Sequence, residues 1–375
     1  MTDNEHCGIR DLINRSRQNY PVYINDSEVV LYYEAAAQNV GLISDITSWC
    51  ENISFARLPD EDMFYLKLKL EPDARIQYLL SVDGKEIIDP LNKYRSRHGL
   101  GTMSELAMPE YKRHPYLEGF LCGEQGAYDG LIKHLLPPGI LPWEHEVYVY
   151  LPPDYNSKSE YPAVYFQDGP DYIRFGLAAH SINRLIEEKI IEPCIAVFVT
   201  PPNLHQGIKP DRSTEYGMND DYVNFFCEEL VPFIDDNYRT VESSARRLVV
   251  GDSYGGLISF YIAFSRTDVF TNAYSQSGYL SFSNYKIIDV IKNHTGNRLK
   301  LYFDIGTYEE KVGADFIPAN EWDFTGANRR INDLLSSERH EFIYKEYHDG
   351  HTWGNWRRHL IDAMIYFFGT KGEGQ

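Results

Sequence analysis

The stretch Arg247-Leu248-Val249-Val250-Gly251-Asp252-Ser253-Tyr254-Gly255-Gly256-Leu257 constrains the fold of this chain more than any other. An apolar, β-branched run ends at a glycine, and a serine follows one residue later. Two more glycines then lead into Leu257-Ile258-Ser259-Phe260-Tyr261-Ile262-Ala263-Phe264. That pattern reads as strand, sharp turn and helix, with Ser253 at the apex. Small residues on both sides let strand and helix approach closely, and the strained turn projects the hydroxyl away from the chain. The amide of Tyr254 then opens a helix, where it can donate to an oxyanion. The plainer alternative is a glycine-rich turn whose serine only caps the helix.

A chain of 375 residues exceeds what one core usually serves, so two domains are expected. Residues 1 to about 25 read as a polar or helical lead-in. Glu28-Val29-Val30-Leu31-Tyr32-Tyr33-Glu34 reads as a strand, and Met63 to Leu70 alternates polar and apolar in its second half, as a half-buried strand does. Arg75 to Val82 is a third strand, closed by the hairpin signal Asp83-Gly84. Short strands without helical period predict a small β-sandwich over residues 1–110. Composition turns linker-like from Lys93 to Gly99, and a linker is expected over 111–122.

From Gly123 to the end of the chain at 375 the pattern changes. His145–Leu151, Tyr161–Gln167, Cys194–Thr200, Leu299–Ile305 and Glu341–Tyr347 read as strands. Helical patterns over Ala179–Glu188, Tyr222–Ile234 and Ala327–Ser336 lie between them. Alternating strands and helices mean a mostly parallel sheet covered on both faces. Combined with the serine turn, that predicts an α/β class chain: an α/β-hydrolase domain preceded by an all-β sandwich.

A net charge of −19 argues against a nucleic-acid or anionic-membrane partner. The five cysteines, Cys7, Cys50, Cys122, Cys194 and Cys227, are scattered and lack C-x-x-C spacing, so neither zinc nor a disulfide framework is suggested. The polar, acidic start Met1-Thr2-Asp3-Asn4-Glu5-His6 has no apolar signal region, and no run approaches membrane-spanning length. The expectation is a cytoplasmic protein with no metal and no organic cofactor, acting on a small-molecule ester. Its oligomeric state is not written in the sequence.

A serine nucleophile needs a base, and the base needs an orienting acid. In this fold they follow in the order Ser, Asp/Glu, His on loops after successive C-terminal strands. After the strand ending at Gly306 comes Thr307-Tyr308-Glu309-Glu310, and after the strand ending at Tyr347 comes His348-Asp349-Gly350-His351-Thr352-Trp353. His351, past a glycine at the loop tip, is favoured over His348. Among Asp304, Glu309 and Glu310 the favoured acid is Glu309, because Asp304 lies inside a strand and Glu310 adjoins Lys311. The turn Gln167-Asp168-Gly169-Pro170-Asp171-Tyr172 is the candidate for a second oxyanion donor. Pro170 has no amide hydrogen, so the donor is Gly169, Asp171 or a neighbouring side chain.

Several motifs together resemble the esterase family that contains enterobactin esterases, bacillibactin trilactone hydrolases, feruloyl esterases and the antigen-85 mycolyltransferases. They are Phe166-Gln167-Asp168-Gly169-x-Asp171-Tyr172, Arg212-x-x-Glu215-Tyr216, Glu228–Asp235, Gly251–Gly256, Ser275-Gln276-Ser277-Gly278 and Asp349-Gly350-His351-x-x-x-x-Trp356-Arg357. The strand Val30-Leu31-Tyr32-Tyr33 and the segment Asp89-Pro90-Leu91-Asn92 likewise resemble the N-terminal immunoglobulin-like domain of enterobactin esterases. The resemblance implies Ser253 as nucleophile, His351 as base and Glu309 where the family usually has Asp. It implies a substrate-facing role for Arg212, Tyr216, Tyr172, Trp353 and Arg357. For Arg212, contact with an anionic catecholate and a loop-fixing pair with Glu215 stand as equal alternatives. Two substrates are in view, a catecholate siderophore trilactone and a feruloyl- or acetyl-type carbohydrate-linked ester. An inactive binding protein is the reading from another class.

Overall fold

A computed structural model describes residues 3–49, 51–59, 61–98, 101–115, 117, 128–202, 212–313 and 317–370. The chain divides into two compact units. The first comprises Met1–Glu124 together with two short segments from far along the chain, Gly306–Ala314 and Tyr347–Asn355. The second comprises Gln125–Ile305, Asp315–Glu346 and Trp356–Gln375.

The first unit begins with a helix, Asp3–Ser16, and continues as strands β1 (Val22–Asn25), β2 (Glu28–Glu34), β3 (Val40–Ser44), β4 (Ile53–Ser54), β5 (Ala56–Arg57), β6 (Met63–Lys69), β7 (Arg75–Val82), β8 (Lys85–Ile87), β9 (Arg95–His98) and β10 (Gly101–Ala107). They form two antiparallel sheets, in the orders β1-β2-β6-β5 and β4-β3-β7-β10-β9, with β8 beside β7. Val29 and Leu31 of β2 face a core shared with Leu66, Leu68, Ile76, Tyr78 and Leu80. Their neighbours Val30 and Tyr32 pack instead with Met63, Tyr65 and Ile13 of the first helix. Both faces of β2 are therefore buried, and alternation shows only where Lys67 and Lys69 reach solvent in β6. Asp83 (φ 48°) and Gly84 (φ 81°) make the expected two-residue hairpin turn between β7 and β8.

The linker-like composition from Lys93 is corrected by the structure, since Arg95–His98 and Gly101–Ala107 are paired strands. β9 is an edge strand, and its charged side chains suit that position. Of the linker expected over 111–122, residues 116 and 118–122 lie outside the described residues.

The second unit is built on strands β11 (Ile132–Leu136), β12 (His145–Tyr150), β13 (Ala163–Phe166), β14 (Ile195–Val199), β15 (Arg247–Asp252), β16 (Asn272–Gln276), β17 (Lys300–Gly306) and β18 (Glu341–Tyr347), in the order β11-β12-β14-β13-β15-β16-β17-β18. β11, β12 and β14 pair antiparallel, and the run from β14 through β13, β15 and β16 to β17 is parallel. β13 to β16 are buried along their whole length, which is why they read as near-continuous apolar runs. This is the expected α/β-hydrolase sheet with an all-β unit before it in sequence.

One helix departs from expectation. The amphipathic stretch 222–234 is part of a helical run from 220 to 237 that widens into a π turn over Phe225–Leu230. Pro232 cannot donate to the carbonyl of Glu228, and its ring would crowd that carbonyl, so a wider turn relieves the conflict. The parallel strands bring the ends of β13 and β15 side by side, with Phe166 in register with Val250. The segments beginning at Gln167 and Ser253 thus leave the carboxyl edge of the sheet together, where such folds place their chemistry.

Candidate active site

Ser253 holds φ 55° and ψ −117°, a conformation that costs an L-residue on the order of 1–3 kcal/mol. The surroundings over-determine it. Its amide donates to Gln276 O (2.9 Å), and its carbonyl accepts from Leu257 N (3.1 Å) and Tyr279 N (2.9 Å). A side chain at Gly251 would run into the backbone of Gly255, so only glycine allows strand β15 and the helix Tyr254–Ser265 to meet this closely. The Ser253 side chain makes no capping bond to that helix, which removes the helix-cap alternative. Tyr254 is the first helical residue, with its ring edge-on to Tyr279 at 4.8 Å.

The turn after β13 is fixed from within. Asp168 lies at φ 47°, ψ 42°, and a short helix, Gly169–Arg174, follows. Pro170 sits in its first turn, where a missing amide hydrogen costs nothing. The Asp171 amide is committed to Asp168 O (2.9 Å), a point that residue spacing could not reveal. The Asp168 amide donates to the Tyr216 hydroxyl (3.0 Å).

Arg212 ties this turn to the serine strand. Its Nε and Nη2 donate to the two Asp168 oxygens at 2.7 and 2.5 Å, and Nη2 also donates to Asp252 O at 3.1 Å. The Asp252 carboxylate is 3.6 Å away. Burial opposes the charge on Arg212, but Asp168 and Asp252 outweigh it and hold the guanidinium protonated. Burial likewise pushes the carboxyls of Asp168 and Asp252 up, and burial with neighbouring Asp168 lifts Asp171 to about 6. The alternative pair with Glu215 does not form. Glu215 is buried and accepts from Trp143 Nε1 (2.5 Å) and pairs with His145 Nε2 (2.8 Å). The partners of Arg212 were not singled out from the sequence. The available signal was a carboxylate at the equivalent point of two adjacent strands, Gln167-Asp168-Gly169 and Gly251-Asp252-Ser253.

Among the remaining residues expected to face substrate, burial is the common finding. Tyr172 and Tyr216 are 0% exposed, Arg357 3% and Trp353 6%. The Tyr172 hydroxyl donates to Gln276 Oε1 (2.7 Å), so the hydroxyls of Tyr172 and Tyr216 support the two turns.

Glu309 and His351 belong to the first unit, and there they meet. His351 Nδ1 lies 2.6 Å from Glu309 Oε2, and Glu309 Oε1 accepts the Gly306 amide at 2.9 Å. Glu309 is fully buried, and the His351 side chain is 21% exposed. With the Nδ1 proton donated to a carboxylate, the basic nitrogen of the ring is Nε2. The competing residues are occupied elsewhere. Asp304 accepts from the Tyr274 hydroxyl (2.5 Å) and faces His359 at 3.6 Å. His348 pairs with Asp73 at 2.6 Å, and Glu310 is exposed. Among the described residues no group of three or more His, Cys, Asp or Glu is placed to hold a metal ion. Among them, no helix is long and apolar enough to cross a membrane.

Residues 139–367 match the model of a family described as "Putative esterase". The match spans more than half of the chain, which therefore belongs to that family and is a carboxylic ester hydrolase. The uncharacterized protein YjcH of Bacillus subtilis is 29% identical over 225 residues, covering 59% of this chain and 90% of that one. Among solved structures, the ferric enterobactin esterase of Salmonella typhimurium superposes with a TM-score of 0.75 at 16% identity, covering 91% of this chain and 93% of that one. The enterobactin esterase of Shigella flexneri, determined in the presence of enterobactin, gives 0.73 at 18% identity over 92% and 94%. A ferulic acid esterase gives 0.52 at 16% identity, covering 65% of this chain and 98% of that one.

Proposed function

We propose that this member of the family is a serine esterase with Ser253 as nucleophile, His351 as base and Glu309 as orienting acid, and that its substrate is a catecholate siderophore trilactone. The observation that carries the chemistry is the 2.6 Å contact between Glu309 and His351 Nδ1, which fixes the tautomer a general base needs. His351 Nε2 takes the Ser253 proton as the serine oxygen attacks the ester carbonyl. The oxyanion is held by the amide of Tyr254 and, from the turn after β13, by that of Gly169, since the Asp171 amide is spent inside its own turn. Collapse expels the alcohol, protonated by His351, and water cleaves the acyl-enzyme by the same route in reverse roles.

Arg212 is the residue of the proposed substrate set that retains partial exposure, 30% of its side chain, beside its carboxylate partners. In this reading its outer edge meets substrate anion, while its inner edge aligns the oxyanion turn. The siderophore assignment is supported by the neighbours named for enterobactin, whose likeness spans nine-tenths of this chain. The ferulic acid esterase likeness spans 65% and supports the feruloyl-type alternative. The cytoplasm, where a siderophore would release its iron after uptake, is the proposed location.

Steady-state hydrolysis of p-nitrophenyl butyrate, methyl ferulate, and apo and ferric enterobactin and bacillibactin tests this on wild type and Ser253→Ala. Trilactones exceeding the simple esters by about a hundredfold or more in kcat/KM, with a dead variant, meet the proposal. Turnover of methyl ferulate alone transfers it to the alternative. Equal rates for wild type and variant remove Ser253 from the mechanism.

A further inference from the structure

The two segments 306–314 and 347–355 carry the acid and the base, yet they cluster with the β-sandwich. The reason is a buried polar cluster on strand β7. Arg75 and Gln77 are 2% and 0% exposed, an unusual place for an arginine on a sandwich strand. Arg75 donates through Nε (3.1 Å) and Nη2 (2.5 Å) to Glu105 Oε2, and Arg113 takes the other Glu105 oxygen at 2.5 Å. Burial works against the charge on Glu105, but Arg75 and Arg113 more than offset it and hold its carboxyl below the usual range.

What remains of Arg75 and Gln77 is directed at the His351 loop. The Arg75 amide donates to His348 O at 3.0 Å, and Arg75 Nη1 donates to Asn355 Oδ1 at 2.8 Å. The donors around Gln77 orient its amide oxygen toward Thr352 Oγ1 (3.0 Å), Arg75 Nη1 (3.1 Å) and Gly354 N (3.3 Å). Asn355 then spends its own amide on Gly350 O (2.7 Å) and Thr352 Oγ1 (3.1 Å). Gly350 and Thr352 are the two chain neighbours of His351. Close packing completes the arrangement. A Cβ at Gly350 would lie 2.6 Å from Asp45 Cβ, and one at Gly354 would run into the ends of Arg75 and Gln77. Asp45 itself is held by the Gln77 amide at 3.0 Å.

We infer that Arg75 and Gln77, braced by Glu105 and Asp45, are positioning residues for the catalytic base: they lock the peptide on both sides of His351 and so aim its ring. The inference rests on the reading of His351 as base. The bonds of the cluster run to the residues flanking His351, so its effect is on turnover and not on substrate capture.

The test uses the full chain with p-nitrophenyl butyrate. Arg75→Met strands Glu105 and can unfold the protein, so the informative variants are Gln77→Leu and Thr352→Val, with Thr352→Ser as the conservative control. Expected is a kcat about 10- to 100-fold lower for Gln77→Leu and Thr352→Val, with KM within about twofold and circular dichroism unchanged. Thr352→Ser keeps the hydroxyl and returns kcat to within about threefold of wild type. The inference is overturned if Thr352→Val and Gln77→Leu keep wild-type kcat while His351→Ala is inactive. It is overturned equally if kcat falls only in step with the unfolded fraction. If His351→Ala itself stays active, the base assignment fails first and takes the inference with it.

Discussion

The serine turn and the loops that join Glu309 to His351 solve the same problem, holding one side chain in one geometry, by different means. Around Ser253 the work is done by backbone. A positive φ, a glycine that lets helix meet strand, and three main-chain hydrogen bonds leave the peptide no alternative. Around His351 it is done by side chains, Glu309 on the ring and Arg75, Gln77, Asn355 and Thr352 on the flanking peptides. The backbone geometry at Ser253 draws on its own glycines and on main-chain partners no farther along the chain than Tyr279. The side chains around His351 include Arg75 and Gln77, which are buried and lie hundreds of residues away in sequence, so substitution at a distant position reaches the loop.

The comparison breaks most visibly at the reacting groups. Ser253→Ala and His351→Ala are each expected to lower kcat at least about ten-thousandfold in single-substrate assays, with little change in melting temperature. A smaller loss in one of them would show that the two residues do not act in one proposed triad. Glu309→Gln comes next. Its oxygen can still accept the Gly306 amide, but its NH2 would face His351 Nδ1 and favour the wrong tautomer. A kcat loss on the order of a thousandfold is expected, with KM nearly unchanged.

Arg212→Met sharpens the contrast from the other side. The serine turn does contain one side-chain tie, and removing it leaves the buried Asp168 and Asp252 uncompensated. Denaturant unfolding should show a loss of about 3–5 kcal/mol at neutral pH. Because both carboxyls already lean toward protonation through burial, that loss should shrink as pH is lowered.

The smallest effect concerns Asp45, whose carboxyl burial pushes up to about 7, with Asp349 adding to the rise. The native state thus keeps this proton while the unfolded chain, titrating near 3.8, has released it. Between about pH 4 and pH 7 the native state binds more protons, so this group's contribution to stability falls as pH rises, and it is flat above and below that window. The difference is worth at most about 4 kcal/mol. Asp45→Asn should flatten the pH dependence of the melting temperature across that window and gain relative stability above pH 7. An unchanged profile would show that the carboxyl is not protonated there.

The legible part of the sequence follows the same line. Strand, glycine, serine and helix were readable as a local pattern, and so were the parallel strands, because a strand buried on both faces must be apolar throughout. The loops on which His351 and Glu309 meet were readable from their order after the last two strands. Arg75 and Gln77 were not, since inside the strand Arg75–Val82 a charged residue and an amide look like its solvent face. The short strand β9 hid in a charged stretch for a related reason, as an edge strand has little need of apolar residues. The Asp168–Arg212–Asp252 tie lay in view as three motif positions, but nothing in their spacing joined them. Tyr172, Tyr216, Trp353 and Arg357 were taken for a binding surface because aromatic and basic residues near a nucleophile invite that reading. All four are buried, and the hydroxyls of Tyr172 and Tyr216 bond to Gln276 and to the Asp168 amide.

The composition of the first unit bears on how genes of this kind can be cut and rejoined. Its boundary in sequence is not a single point near residue 124, because Gly306–Ala314 and Tyr347–Asn355 belong to it as well. A chimera that takes residues 1–124 from one parent and the remainder from another would pair a foreign residue 45 with Gly350 and a foreign residue 77 with Thr352. The transferable module is three pieces of chain, and a crossover that respects it must exchange all three.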